Sequence, residues 1–596
     1  VTMGWAKSIL ARKVCLAAAG LLILSGCAAT EQTTTRASAG GADASGARAV
    51  LLANATATLS GDYLAGNLAR SERDTDAAAQ FYLRALDRDP DDLILLQSAF
   101  VALLADGRIG DALPLADRVR SIGRLSQLAG VVMATNAIHD GRFDAAVAAL
   151  AGAPDTGFNG LLSPLIRAWA EAGRGDFDAA LDNLGALDKQ SAFAPFRDYH
   201  AALINQLAGR NDAAAIAYEA TMASRAGRSV RVVESYGAFL RLQGQADAAR
   251  EVYQEYLDSV PDNPAINQAL ARLDAGQPPT GQITAAAAGA AEALYGSASV
   301  LAQDSASDAA AMYLQLALYL RPDFPIGQTL LGDIMEANER WQAAIDAYQG
   351  IAASSPYSRN ARIRTAWALA KLDRSEEAAA ALSQLAADDP KETDALVTLA
   401  DIYRSDERFA DAAAAYGAAI ARLPSVEERH WTLFYARGIA LERSGEWDAA
   451  ELDFLKALEL KHDHPLVLNY LGYSWIDKGV NIERARAMIE RAVEQRPNDG
   501  YIVDSLGWAL FRLGKYEEAV VHLERAVELR PEDPVINDHL GDALWRVGRH
   551  LEARFQWRRA LWLGPEKADI PAIEKKLENG LQPDSPRNAA TANSAG

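Results

Sequence analysis

The chain repeats itself every 34 residues, and a period of that length leaves few folds open. The clearest copy is Gly500 to Asp533, "GYIVDSLGWALFRLGKYEEAVVHLERAVELRPED". It carries Leu506 and Gly507 at positions 7 and 8, Leu510 at 11, Ala519 at 20, Leu523 at 24, Ala526 at 27 and Pro531 at 32. The next copy, from Pro534, has Gly541, Leu544, Ala553, Trp557, Ala560 and Pro565 in register. The copy before, from Pro465, has Gly472, Trp475, Ala485, Ala492 and Pro497, with one extra residue in "DKGVN". The same ruler finds Gly438 with Phe454, Ala400 with Tyr416, Gly332 with Tyr348, Gly237 with Tyr253 and Gly66 with Tyr82. "GRIGDA", "GRFDAA", "GDFDAA" and "GRNDAA" recur at the same spacing between the last two. Fourteen units result, six before "DAGQPPTGQITAAAAGA" and eight after it.

A unit this short has room for two helices and a turn. Alanine supplies much of the 50% hydrophobic content and β-branched runs are scarce, so helix is favoured over strand. Small residues at positions 8, 20 and 27 let helices approach, and proline at 32 ends the second helix. The pattern resembles the tetratricopeptide repeat. That resemblance implies an all-α superhelix of about 14 repeats in two arrays, residues 59–273 and 291–567, with first helices lining a concave groove. Residues 274–290, with Pro278 and Pro279, break the phase and are expected to form a linker or kink, with a degenerate repeat as the alternative. Residues 568–582 contain the amphipathic "IPAIEKKLENGL", expected to cap the stack, and 583–596 have the composition of a disordered tail.

The first 26 residues read as an export signal: Lys7, Arg12 and Lys13, then an apolar run from Val14 to Leu24 that is too short to span a bilayer. "LLILSGCAA" resembles the bacterial lipobox. This implies cleavage before Cys27 and lipid (palmitate) on Cys27, with residues 27–58 as a flexible tether. The absence of Asp next to Cys27 implies the outer membrane, with the protein facing the periplasm. Cys15 falls within the signal, so a chain lipidated on Cys27 has no thiol left for a disulfide, a metal or a nucleophile.

Catalytic groups are not apparent. Ser505 in "VDSLG" lies on a repeat helix, away from the strand-to-helix turn that a nucleophilic serine of this kind needs. "KHDHP" groups His462, Asp463 and His464, but adjacent residues in a turn rarely converge on one metal ion. No dinucleotide or phosphate-loop glycine pattern is present, so no cofactor is expected. The net charge of −20, spread along the chain, argues against nucleic acid as a partner. A non-enzymatic interaction scaffold is expected.

By 3,4,3 spacing, positions 2, 5, 9 and 12 of a first helix share a face, which the family resemblance assigns to the groove. The aromatic and apolar members predicted to bind a partner are Tyr473, Ile476, Tyr501, Trp508, Phe511 and Trp545. Residues 465–581 resemble the C-terminal part of bacterial tetratricopeptide lipoproteins of the outer membrane, some of which are adaptors for periplasmic carboxyl-terminal processing proteases. Assembly of an envelope polysaccharide or pilus export system is the alternative expectation.

Overall fold

The computed structural model describes residues 58–121, 126–151, 159–303 and 306–582. Cys27, the signal, the tether up to residue 57 and the 583–596 tail lie outside the described residues. Among the described residues the chain forms 30 α-helices and no strand.

Each unit is a helical hairpin whose parts follow from its residues. In the Gly500 unit, the Asp499 side chain caps the first helix by accepting from the Tyr501 N–H at 3.3 Å. Gly500–Arg512 then runs to a turn at Gly514, and Tyr516–Leu529 returns. Gly514 has φ 74°, a left-handed conformation that glycine adopts freely. The same turn position is filled by Arg73, Glu339, Asp373 and Glu407 in four other units, all at positive φ.

Within the hairpin, position 8 meets position 24. A methyl group on Gly541 would lie 2.5 Å from the Trp557 ring, one on Gly332 would lie 2.3 Å from Tyr348, and one on Gly237 would lie 2.2 Å from Tyr253. The alternation of smallest and largest residues is thus a packing requirement, with no space for a side chain at position 8 in these three units. First helices of adjacent units also pack against one another more closely than second helices do. First helices therefore line the inner, concave side of the stack.

The two halves use that side differently. After Pro264–Asp274 the chain crosses along Val230–Leu242, where Arg241 donates to the Gln277 carbonyl and Ile283 is buried. It then enters the groove of the first array as the hairpin Ala286–Gln303 and Ser307–Leu320. Ala286–Gln303 packs on the first helices Ser126–His139, Asn159–Gly173 and Ala194–Leu207, and Ser307–Leu320 packs on Leu93–Ala105 and Ser126–His139. One apolar core consequently runs from Ala65 to Ala361 across both arrays. The segment 274–290, expected as a linker or kink, includes the start of this inserted helix.

Gly289 is the point of closest approach, since a methyl group there would lie 2.3 Å from the Trp169 ring. The Trp169 Nε1 donates to His200 Nδ1 at 2.9 Å, so that ring stays in place and the imidazole is held as a neutral acceptor. Burial lowers the His200 pKa to about 3. Glu292, also on the inserted helix, takes Arg231 from the first array (Nε to Oε2, 3.1 Å) and Arg321 from the second (3.3 Å). Further on, Arg73 donates to Asn338 Oδ1 at 2.6 Å, closing the first unit onto the one at 325–349. Beyond residue 361 no such return occurs among the described residues, and smaller cores link each unit to its neighbours.

Candidate protein-binding groove

Among the described residues, the groove left uncovered is that of the C-terminal units. Its character depends on what position 24 demands of position 9. Where position 24 is Tyr or Trp, its polar tip is buried and needs a partner from the first helix. Asn67 serves Tyr82 at 2.9 Å, Asp333 serves Tyr348 at 2.7 Å, Asp401 serves Tyr416 at 2.5 Å, and Asp542 serves Trp557 at 2.9 Å. In the Pro465 and Gly500 units the equivalent residues are Ile489 and Leu523, which ask for nothing. Position 9 is then free to carry Tyr473 and Trp508.

Tyr473 is half-buried and lines a cavity of about 220 Å³ with Glu442, Tyr470, Ser474 and Asp477, flanked by Arg443 and Lys478. Burial first, then the carboxylates of Asp504 and Asp477, push its hydroxyl up to about 12. The two cations at the rim are drawn elsewhere: Arg443 lies over the Phe409 ring at 5.0 Å and Lys478 over the Trp447 ring at 4.7 Å. Tyr470 donates to Glu442 at 3.2 Å. Sequence reasoning missed Glu442, Tyr470 and Asp477, because the cavity is shared by two units and is not confined to one helix face.

Trp508 is half-buried, stacked on Phe511 (4.9 Å between centroids) and on His539 of the next unit (4.0 Å). His539 Nδ1 lies 3.0 Å from both oxygens of Asp504, a pair buried between adjacent first helices. Burial alone would lower the His539 pKa, but the Asp504 carboxylate outweighs it and the net shift is upward. Tyr501 is 38% exposed, with the Arg530 guanidinium 5.0 Å over its ring. Tyr473, Tyr501, Trp508 and Phe511 thus offer ring surface to solvent across two units.

The other two candidates are placed differently. Ile476 is only 3% exposed and belongs to the core formed with Leu471, Trp475 and Leu506. Position 12 is half-buried as Phe511 in the next unit, so a place on the 3,4,3 stripe does not by itself decide exposure. Trp545 stacks on His550 at 4.1 Å, and a methyl group on Gly580 would lie 2.0 Å from its ring. Gly580, just past the cap helix Ile570–Asn579, thus touches one edge of the ring, which stays half-buried like Trp508, and Lys576 of that helix binds Asp538 (2.7 Å) and Asp542 (2.8 Å). The cap thereby fills the groove of the last unit.

The chemistry-bearing residues are accounted for within the helices. Ser505 donates to the Tyr501 carbonyl one turn back at 2.9 Å. His462 is exposed with Nδ1 3.2 Å from Asp463, Asp463 also pairs with Arg491, and the His464 ring lies tilted against Trp431 at 4.0 Å, so the three do not converge on one point.

The matching family profiles agree with this architecture. Family profiles described as TPR repeat or tetratricopeptide repeat match residues 63–92, 201–264 and 507–548, and one described as the Psidin N-terminal TPR repeats region matches 333–450. A TPR repeat-containing protein of Pseudomonas aeruginosa is 26% identical over 190 residues, which are 32% of this chain and 31% of that protein. The matched region thus spans about a third of that relative's length. Among solved structures, the Cut9–Hcn1 hetero-tetramer of the APC/C aligns over 89% of this chain and 99% of that one, at 14% identity and a TM-score of 0.36. Yeast Tom70 aligns over 90% and 99%, at 14% identity and a TM-score of 0.33. The helical hairpins, their register and the family matches lead to one conclusion: the chain carries tetratricopeptide repeats that stack as an α-α superhelix, an architecture that scaffolds protein–protein interactions.

Proposed function

We propose that this protein is a non-enzymatic adaptor that holds an extended segment of a partner protein in the groove of its C-terminal units. The observation that carries the reading is the contrast between grooves: the N-terminal one is filled by the chain's own hairpin, whereas the C-terminal one presents Tyr473, Tyr501, Trp508 and Phe511 beside an uncovered cavity. Lipid on Cys27 would hold the superhelix at the outer membrane, facing the periplasm, as the lipobox pattern suggests. The resemblance of residues 465–581 to lipoprotein adaptors supports a periplasmic carboxyl-terminal processing protease as partner, brought together with a cell-envelope client. Holding both on one scaffold raises their mutual concentration and needs no catalytic group in this chain.

The test is affinity purification of the full chain from bacterial membranes, followed by mass spectrometry. A processing protease is expected among the captured proteins, and Trp508→Ala together with Tyr473→Ala is expected to release it while leaving the helical circular dichroism signal intact. Capture unchanged by both substitutions would overturn the groove assignment. Cell-wall hydrolases are expected to accumulate when the protein is deleted; loss of a secreted polymer in their place would point to an export assembly role. Palmitate labelling that survives Cys27→Ser would remove the proposed anchor.

A further inference from the structure

The last repeat's second helix, His550–Trp562, differs from its counterparts on the face turned away from the stack. Ala553, Trp557 and Ala560 are buried against the unit, as the repeat requires. On the opposite side Leu551, Phe555, Arg558 and Trp562 follow one another at 4,3,4 spacing and so form one stripe. Leu551 is 84% exposed, Phe555 59% and Trp562 82%. Other second helices also expose one apolar residue at the Phe555 position, such as Val521 and Leu452, but neither of these has a large ring on the same face.

The charge differs as well. The chain as a whole is strongly acidic, yet residues 549–567 hold five Arg or Lys against two Glu. The corresponding stretch one unit earlier, residues 515–533, holds three Arg or Lys against five Glu and one Asp. Arg549 is engaged by Glu524 and Glu552, and Arg559 donates to the Pro531 carbonyl, whereas Arg558 is exposed within the apolar stripe. An isolated ring on a convex helix has no concave wall to complete a protein pocket. A stripe of Leu, Phe and Trp with interspersed Arg suits a flat surface that is apolar below and anionic above.

We infer that the outer face of His550–Trp562 docks on an anionic phospholipid bilayer, with Leu551, Phe555 and Trp562 entering the headgroup boundary and Arg558 meeting lipid phosphates. The contact is independent of any lipid on Cys27 and of the groove's partner. It would hold the C-terminal end of the superhelix against a membrane, so that the groove opens along the surface.

The test compares the full chain with its Trp562→Phe variant in tryptophan fluorescence quenching by vesicles of brominated phosphatidylglycerol. The difference between the two reports contact at residue 562 even if another part of the chain also binds the vesicle. Stronger quenching of the unaltered chain is expected, diminished by Arg558→Glu and by raised salt, and absent with vesicles of brominated phosphatidylcholine. Equal quenching of the chain and the variant would overturn the inference. So would quenching that is indifferent to lipid charge, or sedimentation showing that the stripe joins two copies of the chain and that Phe555→Ser separates them.

Discussion

The two halves of this molecule build the same groove and put it to opposite uses. From residue 59 to about 361 the inner face is packed by the chain's own hairpin, with Gly289 against Trp169 and Glu292 between Arg231 and Arg321. From about 431 onward the described residues close the inner face only at its end, where Lys576 of the cap binds Asp538 and Asp542. A repeat architecture does not by itself say where a partner goes; what already occupies the concave side does.

Substitutions that break one half or the other would test this contrast. Trp557→Ala removes a buried ring and leaves Asp542 without its indole donor, so a loss of about 3–5 kcal/mol is expected. In a stack held by nearest neighbours the damage stays local, and hydrogen exchange should rise from residue 500 onward but not in the first array. Glu292→Ala deprives two arginines of their shared carboxylate, for about 3 kcal/mol. Its effect should reach helices far apart in sequence, raising exchange in 159–242 and 307–320 together. A change confined to 286–303 would mean that the hairpin only rests in the groove and does not bind the arrays together.

Acidity should separate the halves by sign. His200 has a depressed pKa, so its contribution to the first half is full above the unfolded value near 6.5 and is lost as pH falls toward about 3. His539 has a raised pKa, so its contribution to the last units is full below about 6.5 and is lost as pH rises through its folded value. Urea midpoints measured at pH 5.5 and 7.5 should move in opposite directions for the two halves, and His200→Gln and His539→Gln should each remove one of the two trends. The smallest expected effect sharpens the repeat itself. Glu407 is exposed and holds φ 60° where most units have glycine, so Glu407→Gly should stabilise its unit by about 1 kcal/mol, read as a higher melting temperature.

The sequence displays the repeat because its causes are local. Gly541 must face Trp557 and Gly332 must face Tyr348 whatever the rest of the chain does, so the 34-residue register and the helix pairing can be read directly. The exchange between positions 9 and 24 was not read from the sequence, because the pairing is loose: Tyr218 takes Gln206, three residues past position 9, as its partner. The filled groove was not legible. Its contacts join residues such as Tyr319 and Asn136, linked by a 2.8 Å hydrogen bond, which no helical period brings together. The burial of Ile476 was not legible for a related reason, since it depends on packing between units and not on its own helix alone.

The inserted hairpin also bears on the order in which the chain can fold. The inner faces of Asn159–Gly173 and Ser126–His139 find their cover only when residues 286–320 have been made. The half that is synthesised first is therefore finished late, with apolar surface uncovered over a long stretch of synthesis, while the C-terminal units close neighbour by neighbour as they emerge.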